Sequence, residues 1–512
     1  MVKKIRHIIN EDFWLILALI VVGVIAQIVF LNPPILSDQM EYYLRAIELP
    51  RLPERADIAS MRLGLLLPVA VLYRIFGHSE LAYYGVPFLS TLILVVSVYL
   101  LGRGFFNRRV GFLAAIWLLF VPNLLPESGH LLPDIPAAAA LTAGFALLVA
   151  SHSRSGAKEY KHKNTWLFFL SGVVFGWAYM TKEYMAVLFV LIPILFWVLN
   201  IPFRRLIPTV LGMALVFGFE TIVGLIFYQT PLVRFAAASP RETEGFIETD
   251  VGKIFSFLFI LLNRRGGIGT ILLGASSLVG SIFFAFKKKK AYIFLLVWSV
   301  LFFGFFTIIG LLPVLFSWED IVLLRLHKFR YWVPILPPLI LGGLAVLDQL
   351  LLYATSKTKL PDRFVPIIVS AIIGILLVAS CWGGIIEGLK EPDLVRNGAD
   401  HYLELRAFLK DHGDEVQAIW VTREGRRGYA RILPIYTHDF WGRPIWEGTL
   451  KYLNTEGLFV RADEIEFGHV IIDRDFNDPQ FSNLPLYLSK PPADWQIVFE
   501  SENKKLALYD VE

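Results

Sequence analysis

The chain has 512 residues, 56% of them hydrophobic and 18% charged, with a mean hydropathy of +0.59, against about 45–50% apolar and about 25% charged in soluble domains. A sequence of this kind must hold much of its apolar surface against lipid, which excludes an ordinary soluble enzyme. Net charge is +4, but the basic residues lie in short clusters between apolar runs, a topology signal rather than a nucleic-acid footprint, and the single cysteine, Cys381, excludes an intramolecular disulfide framework and a cysteine-based zinc site.

In chain order, eleven apolar segments are expected to cross the membrane as helices: 13–31, 81–101, 110–124, 134–150, 166–180, 184–200, 206–228, 267–286, 291–312, 331–352 and 364–387. The first follows Lys3, Lys4 and Arg6 as a secretory signal would, but Asn32-Pro33-Pro34 offers no small-residue cleavage site, so it reads as a retained anchor. One alternating set of loops carries Lys3, Lys4 and Arg6; Arg103, Arg108 and Arg109; Arg154, Lys158, Lys161 and Lys163; Arg204 and Arg205; Lys287 to Lys290; and Lys357, Lys359 and Arg363. The other set is poorer in Lys and Arg, which places the N-terminus in the cytoplasm and the C-terminus outside. Two apolar pieces, 62–76 and 251–262, are too short to span and read as helices lying at the outer interface. They fall within the long outer connections 32–80 and 229–266.

Residues 1–388 therefore form a transmembrane domain, and 389–512 an extracytoplasmic α/β domain of ordinary soluble composition. Within the latter, Val416 to Thr422 and His469 to Asp473 read as buried strands, Asp400 to Leu409 as a helix, and Trp495 to Tyr509 as a closing strand pair.

Four polar groupings at the outer ends of spans need a reason, because charge near hydrocarbon is costly. Asp38 opens a stretch in which Asp38, Tyr42 and Ala46 share a helical face; Ser37 or Asp38 could equally be a simple N-cap. Asp134 sits where a turn enters a span, a position the helix dipole favours without any chemistry. Lys182, in Thr181-Lys182-Glu183, is wedged between apolar runs and could snorkel beside its acidic neighbour. His327, Lys328, Arg330 and Tyr331 open the tenth span, where an aromatic and basic belt is common. Together they put two acids and at least two cations on one outer face. That suits a nucleophile that must lose a proton and an anionic leaving group held by Lys and Arg.

At these residues the sequence resembles the GT-C membrane glycosyltransferases, in the branch of protein O-mannosyltransferases and aminoarabinose transferases. The resemblance is carried in order by Asp38, Tyr42 and Ala46; Arg62 to Gly77 (RLGLLLPVAVLYRIFG) and Glu80; Tyr99 to Arg103; Asp134; Thr181-Lys182; and Arg330, Tyr331, Pro334 and Pro337. It departs from the pattern at Gln39, where a second acid is usual and Glu41 could substitute, and at Glu183, where the aminoarabinose branch has glycine. The resemblance implies an inverting transfer of a sugar from a polyprenyl-phosphate donor to an acceptor protein, lipid or glycan on the outer face of the cell membrane. It implies Asp38 and Asp134 as catalytic acids, Lys182, Arg330 and His327 as donors to the phosphate, and Glu41, Tyr42, Arg62, Glu183 and Tyr331 in support. The sequence identifies no cofactor with certainty; a divalent metal is possible and would fall to Asp38 and Asp134. A multispan transporter or a flippase for lipid-linked sugars is the competing reading, and Glu220, inside a span, could serve as a proton relay or as the pair of an outer-face cation.

Overall fold

The computed structural model describes residues 2–54, 56–121, 124–153, 165–234, 268–287, 289–316, 329–357, 364, 367–368, 370–376, 378, 382, 399–422, 429–455, 458–465, 467–473 and 485–511. Each expected span up to residue 352 contains helix among the described residues. The helices run Val2–Val29, Glu80–Phe105, Arg108–Leu119, Asp134–Ser153, Thr165–Thr181, Leu191–Val198, Leu206–Tyr228, Ile268–Phe286, Lys290–Phe316 and Leu336–Ser356, with 3₁₀ turns at Glu183–Val190 and Phe329–Ile335. The chain is thus a helical multispan membrane protein. Against the eleven spans expected, five described stretches are long and apolar enough to cross: Asp12–Val29, Glu80–Phe105, Asp134–His152, Phe203–Tyr228 and Phe329–Thr355. Others are shortened by breaks the apolar count does not register, such as the one at Lys182 between Thr181 and Glu183. Residues 62–76 do form a helix, Leu63–Phe76, while 251–262 and Cys381 lie outside the described residues.

Contacts divide the chain into two units. The first comprises residues 1–31, 52–65 and 87–390; the second comprises 32–51, 66–86 and 391–512. Helices Leu63–Phe76 and Glu80–Phe105 contribute to both.

The first unit is a helical bundle with an aromatic centre, in which Phe145, Phe175, Phe294, Trp298, Phe302, Phe306 and Trp332 are all fully buried. Lipid gives helices no hydrophobic reason to associate, so close packing must do it. At Gly172 an added Cβ would run into the carbonyl of Thr209, and at Gly212 into that of Phe169. Helices Thr165–Thr181 and Leu206–Tyr228 therefore pack backbone against backbone. Gly212→Val should cost about 1–3 kcal/mol, the usual penalty of overpacking, and lower the thermal unfolding temperature in detergent; an unchanged temperature would show that the helices can part freely. The basic loop read as cytoplasmic is also structural. Asp12 binds Arg103 at 2.6 Å, Arg108 at 3.1 Å and the Tyr99 hydroxyl at 2.7 Å, and buried Asp348 pairs with Arg109.

In the second unit, seven strands follow in order: β1 (Ala418–Val421), β2 (Thr449–Tyr452), β3 (Asn454–Thr455), β4 (Leu458–Phe459), β5 (Gly468–Asp473), β6 (Gln496–Glu500) and β7 (Leu506–Val511). The main sheet has the order β2-β1-β5-β7-β6, parallel from β2 to β5 and antiparallel from β5 to β6. Both expected strands, the closing pair and the helix, now Asp400–His412, are present. The earlier stretches are tied in by specific bonds. Tyr436 donates to the Pro34 carbonyl at 2.7 Å, Tyr84 to that of Asn32 at 2.7 Å, and Arg406 pairs with Glu80.

Among these contacts the His78 ring lies 5.0 Å from Tyr73, 6.2 Å from Tyr43 and 6.1 Å from His438. Burial, aided by His438, pushes its pKa down from 6.5 to about 4. As pH falls the unfolded chain takes up the proton first, so the stability that neutral His78 contributes is complete above about pH 6.5 and is lost on the way down to about pH 4. The loss is about 3 kcal/mol at most. His78→Gln should flatten this part of the unfolding-temperature profile between pH 7 and 5; an unaltered slope would assign it to other groups.

Candidate active site

The site in the first unit grows from two interrupted helices. Pro133 and Pro136 flank Asp134, and the Ala137 N–H bonds the Pro133 carbonyl at 3.0 Å, starting the helix at the acid. Helix Thr165–Thr181 stops where Lys182 turns extended (φ −153°, ψ 120°) before a 3₁₀ turn begins at Glu183. That break aims Lys182 inward. Its Nζ pairs with Asp134 Oδ1 and lies 4.5 Å from the Tyr331 ring centre and 5.1 Å from that of Tyr184. The Tyr184 hydroxyl donates to the same carboxylate oxygen at 3.3 Å. Asp134 is 1% exposed and Lys182 3%, so the two charges are tolerated only as a pair, with the rings adding cation–π attraction. Asp134 Oδ2 has no hydrogen-bond partner among the described residues.

A second layer surrounds the pair. Gly64 lets the chain carrying Arg62 come close to the end of helix Thr165–Thr181, since an added Cβ there would sit 2.7 Å from the Thr181 nitrogen. Arg62 faces Glu183 at 3.6 Å, and both Arg62 and Arg330 act electrostatically on Asp134. Arg330 also lies 5.4 Å from the Tyr331 ring. Glu183 is shared with Arg234 at 3.4 Å, and Arg234 binds Glu220 at 2.6 Å. The remaining Arg234 donors reach the carbonyls of Tyr179 (3.3 Å), Met180 (3.0 Å) and Met61 (2.6 Å). Those carbonyls end a broken helix and a loop, where no backbone donor is supplied. Among the described residues Asp134, Glu183 and Glu220 thus face Lys182, Arg62, Arg234 and Arg330, and Glu127 also acts on Arg330. Guanidinium and ammonium groups gathered around a carboxylate with an unbonded oxygen are the groups that hold an anion and receive a proton.

The structure thus brings together Asp134, Lys182, Glu183, Arg62, Arg330 and Tyr331. Asp38 belongs to the second unit, as the exposed first residue of helix Asp38–Glu48, whose N-cap is Ser37, bonded to the Gln39 N–H at 3.4 Å. Tyr42 is buried on that helix, and Glu41 pairs with Arg45 at 4.0 Å. His327 lies outside the described residues. Among the described residues, no three His, Cys, Asp or Glu side chains converge as a metal site would need. Sequence reasoning missed Arg234 and Tyr184. Glu220 was the signal for Arg234, because an acid at that depth demands a cation.

Residues 66–224 match the family described as dolichyl-phosphate-mannose-protein mannosyltransferase. The GT-C resemblance holds. The fold agrees over most of the chain with several solved structures. ArnT from Cupriavidus metallidurans, apo, is 14% identical with a TM-score of 0.57, over 98% of each chain. The same protein bound to undecaprenyl phosphate is 13% identical with a TM-score of 0.56, over 96% of this chain and 97% of that one. An apo oligosaccharyltransferase from Archaeoglobus fulgidus is 13% identical with a TM-score of 0.54, over 91% of this chain and 70% of that one. Comparison with curated proteins gives no match.

Proposed function

We propose that this protein is an inverting GT-C glycosyltransferase that moves a sugar from a polyprenyl-phosphate donor to a protein, lipid or glycan acceptor on the outer face of the membrane. The observation that carries the reading is the buried Asp134–Lys182 pair, whose Asp134 Oδ2 has no hydrogen-bond partner among the described residues and whose carboxylate feels Arg62 and Arg330. In such a transfer the acceptor hydroxyl attacks the anomeric carbon, the bond from that carbon to phosphate breaks, and the proton passes to a carboxylate. The polyprenyl phosphate departs with the charge it gains. Arg330 and Arg62 would grip that phosphate through their forked donors, and Lys182 would act as a point charge beside it. Asp38 is assigned by resemblance alone to take the proton from the acceptor or to orient it. The undecaprenyl phosphate bound by ArnT from Cupriavidus metallidurans supports a lipid-phosphate donor here as well.

Eleven spans, a cytoplasmic N-terminus and an extracytoplasmic domain from 389 onward complete the proposal, supported by the basic loops on one side. Native mass spectrometry of the purified protein tests the donor class. Co-purifying polyprenyl phosphate is the expected result, and its absence after gentle extraction would overturn the reading. Incubation with a labelled lipid-linked sugar separates transfer from flipping: a flippase moves the lipid across the bilayer without consuming it.

A further inference from the structure

The turn Asp439 to Arg443 is held far more firmly than an exposed connection needs. Asp439 Oδ1 accepts from the backbone N–H groups of Trp441 at 2.8 Å and Arg443 at 2.9 Å, and Oδ2 from Arg443 Nε at 2.7 Å. The Asp439 N–H returns to the Arg443 carbonyl at 2.8 Å, and the Gly442 N–H to that of Asp439 at 3.1 Å. Gly442 adopts φ +86°, and an added Cβ would run into the Phe76 carbonyl, so the turn lies directly on the end of helix Leu63–Phe76. The Leu81 N–H, in the first turn of helix Glu80–Phe105, bonds the Phe440 carbonyl at 3.1 Å. Arg406 braces the same junction, pairing with Glu80 and donating to the His438 carbonyl at 3.3 Å.

What this rigid turn presents is two aromatic rings beside the exposed cation Arg443, a mix suited to a membrane boundary. Trp441 is 58% exposed and Phe440 37%, their rings edge to face at 5.0 Å. On the helix it abuts, Val71 and Ile75, one turn apart, are also exposed. The height of these groups follows from the span beneath. Helix Glu80–Phe105 has 26 residues, about 39 Å at 1.5 Å per residue, against about 30 Å of hydrocarbon. Its first turn carries Glu80, paired with Arg406, charges that belong in the headgroup region rather than in hydrocarbon, and the Phe440 carbonyl is bonded to that turn. Trp side chains favour that zone, where the ring can sit among acyl ends and the indole N–H among polar groups.

We infer that Phe440 and Trp441, with Val71 and Ile75, form a membrane-interface anchor that seats the second unit on the bilayer surface, its occupant being phospholipid. The inference rests on the membrane span and not on the chemistry of the site. Full-length protein carrying Cys381→Ser and Trp441→Cys, spin-labelled at the new thiol in phosphatidylcholine/phosphatidylglycerol nanodiscs, reads it directly. The label should collide with oxygen and be shielded from an aqueous nickel chelate, unlike a label at Arg461→Cys, whose parent side chain is 73% exposed. Nickel contact equal to that control overturns the anchor, and so does shielding from both reagents, which would mean a protein cover. A milder variant serves as a second reading: in nanodiscs with brominated lipids, Trp441→Phe should lose a quenched part of the wild-type tryptophan emission. An identical quenched fraction in the two proteins would place Trp441 away from lipid.

Discussion

Asp134→Asn should lose at least about 100-fold in sugar transfer, the ordinary worth of a positioned acid or base, and should lose stability as well. The amide leaves Lys182 buried without its counter-charge, a break that costs about 3–5 kcal/mol. The two losses can be separated. In Asp134→Asn/Lys182→Met neither charge remains, so the unfolding temperature should recover most of what the single variant lost, while transfer stays at the level of Asp134→Asn or below. If the double variant recovered both stability and transfer, the pair would be a structural clamp and the chemistry would lie elsewhere.

Asp38→Asn makes the opposite kind of test. Asp38 is exposed and is not the cap of its helix, a role held by Ser37. On an exposed first-turn residue the favourable dipole interaction is about 0.3–1 kcal/mol, and the unfolding temperature should move little. Transfer should nevertheless fall by about 100-fold or more. Wild-type transfer in a well-folded Asp38→Asn protein would reduce Asp38 to a first-turn acid.

The parts of this protein that could be read from its sequence are those where one segment states its own case. Lys182 was conspicuous because it interrupts an apolar run, and Asp134 because two prolines and a span entry surround it. The strands around Ile419 and Ile471 showed themselves as short apolar runs in a polar stretch. Arg234 gave no such sign. Its value comes from the distant carbonyls and carboxylates that its loop returns to, and nothing within ten residues of it specifies them. The same holds for residues 32–51 and 66–86, which join the C-terminal sheet unit through contacts such as Tyr436 to Pro34. No change of composition marks that alliance.

The Arg234 guanidinium also dictates an order of assembly. The carbonyls of Tyr179 and Met180 lie 55 and 54 residues before the arginine that satisfies them, and helix Leu206–Tyr228, carrying Glu220, is made in between. While the chain emerges from the ribosome, Lys182 and Asp134 can meet, but the break behind Lys182 stays uncapped until residue 234 has been synthesised. The first half of the site is thus closed by a residue of a later segment, and a chain ending before Arg234 would lack the guanidinium that these carbonyls meet in the finished fold.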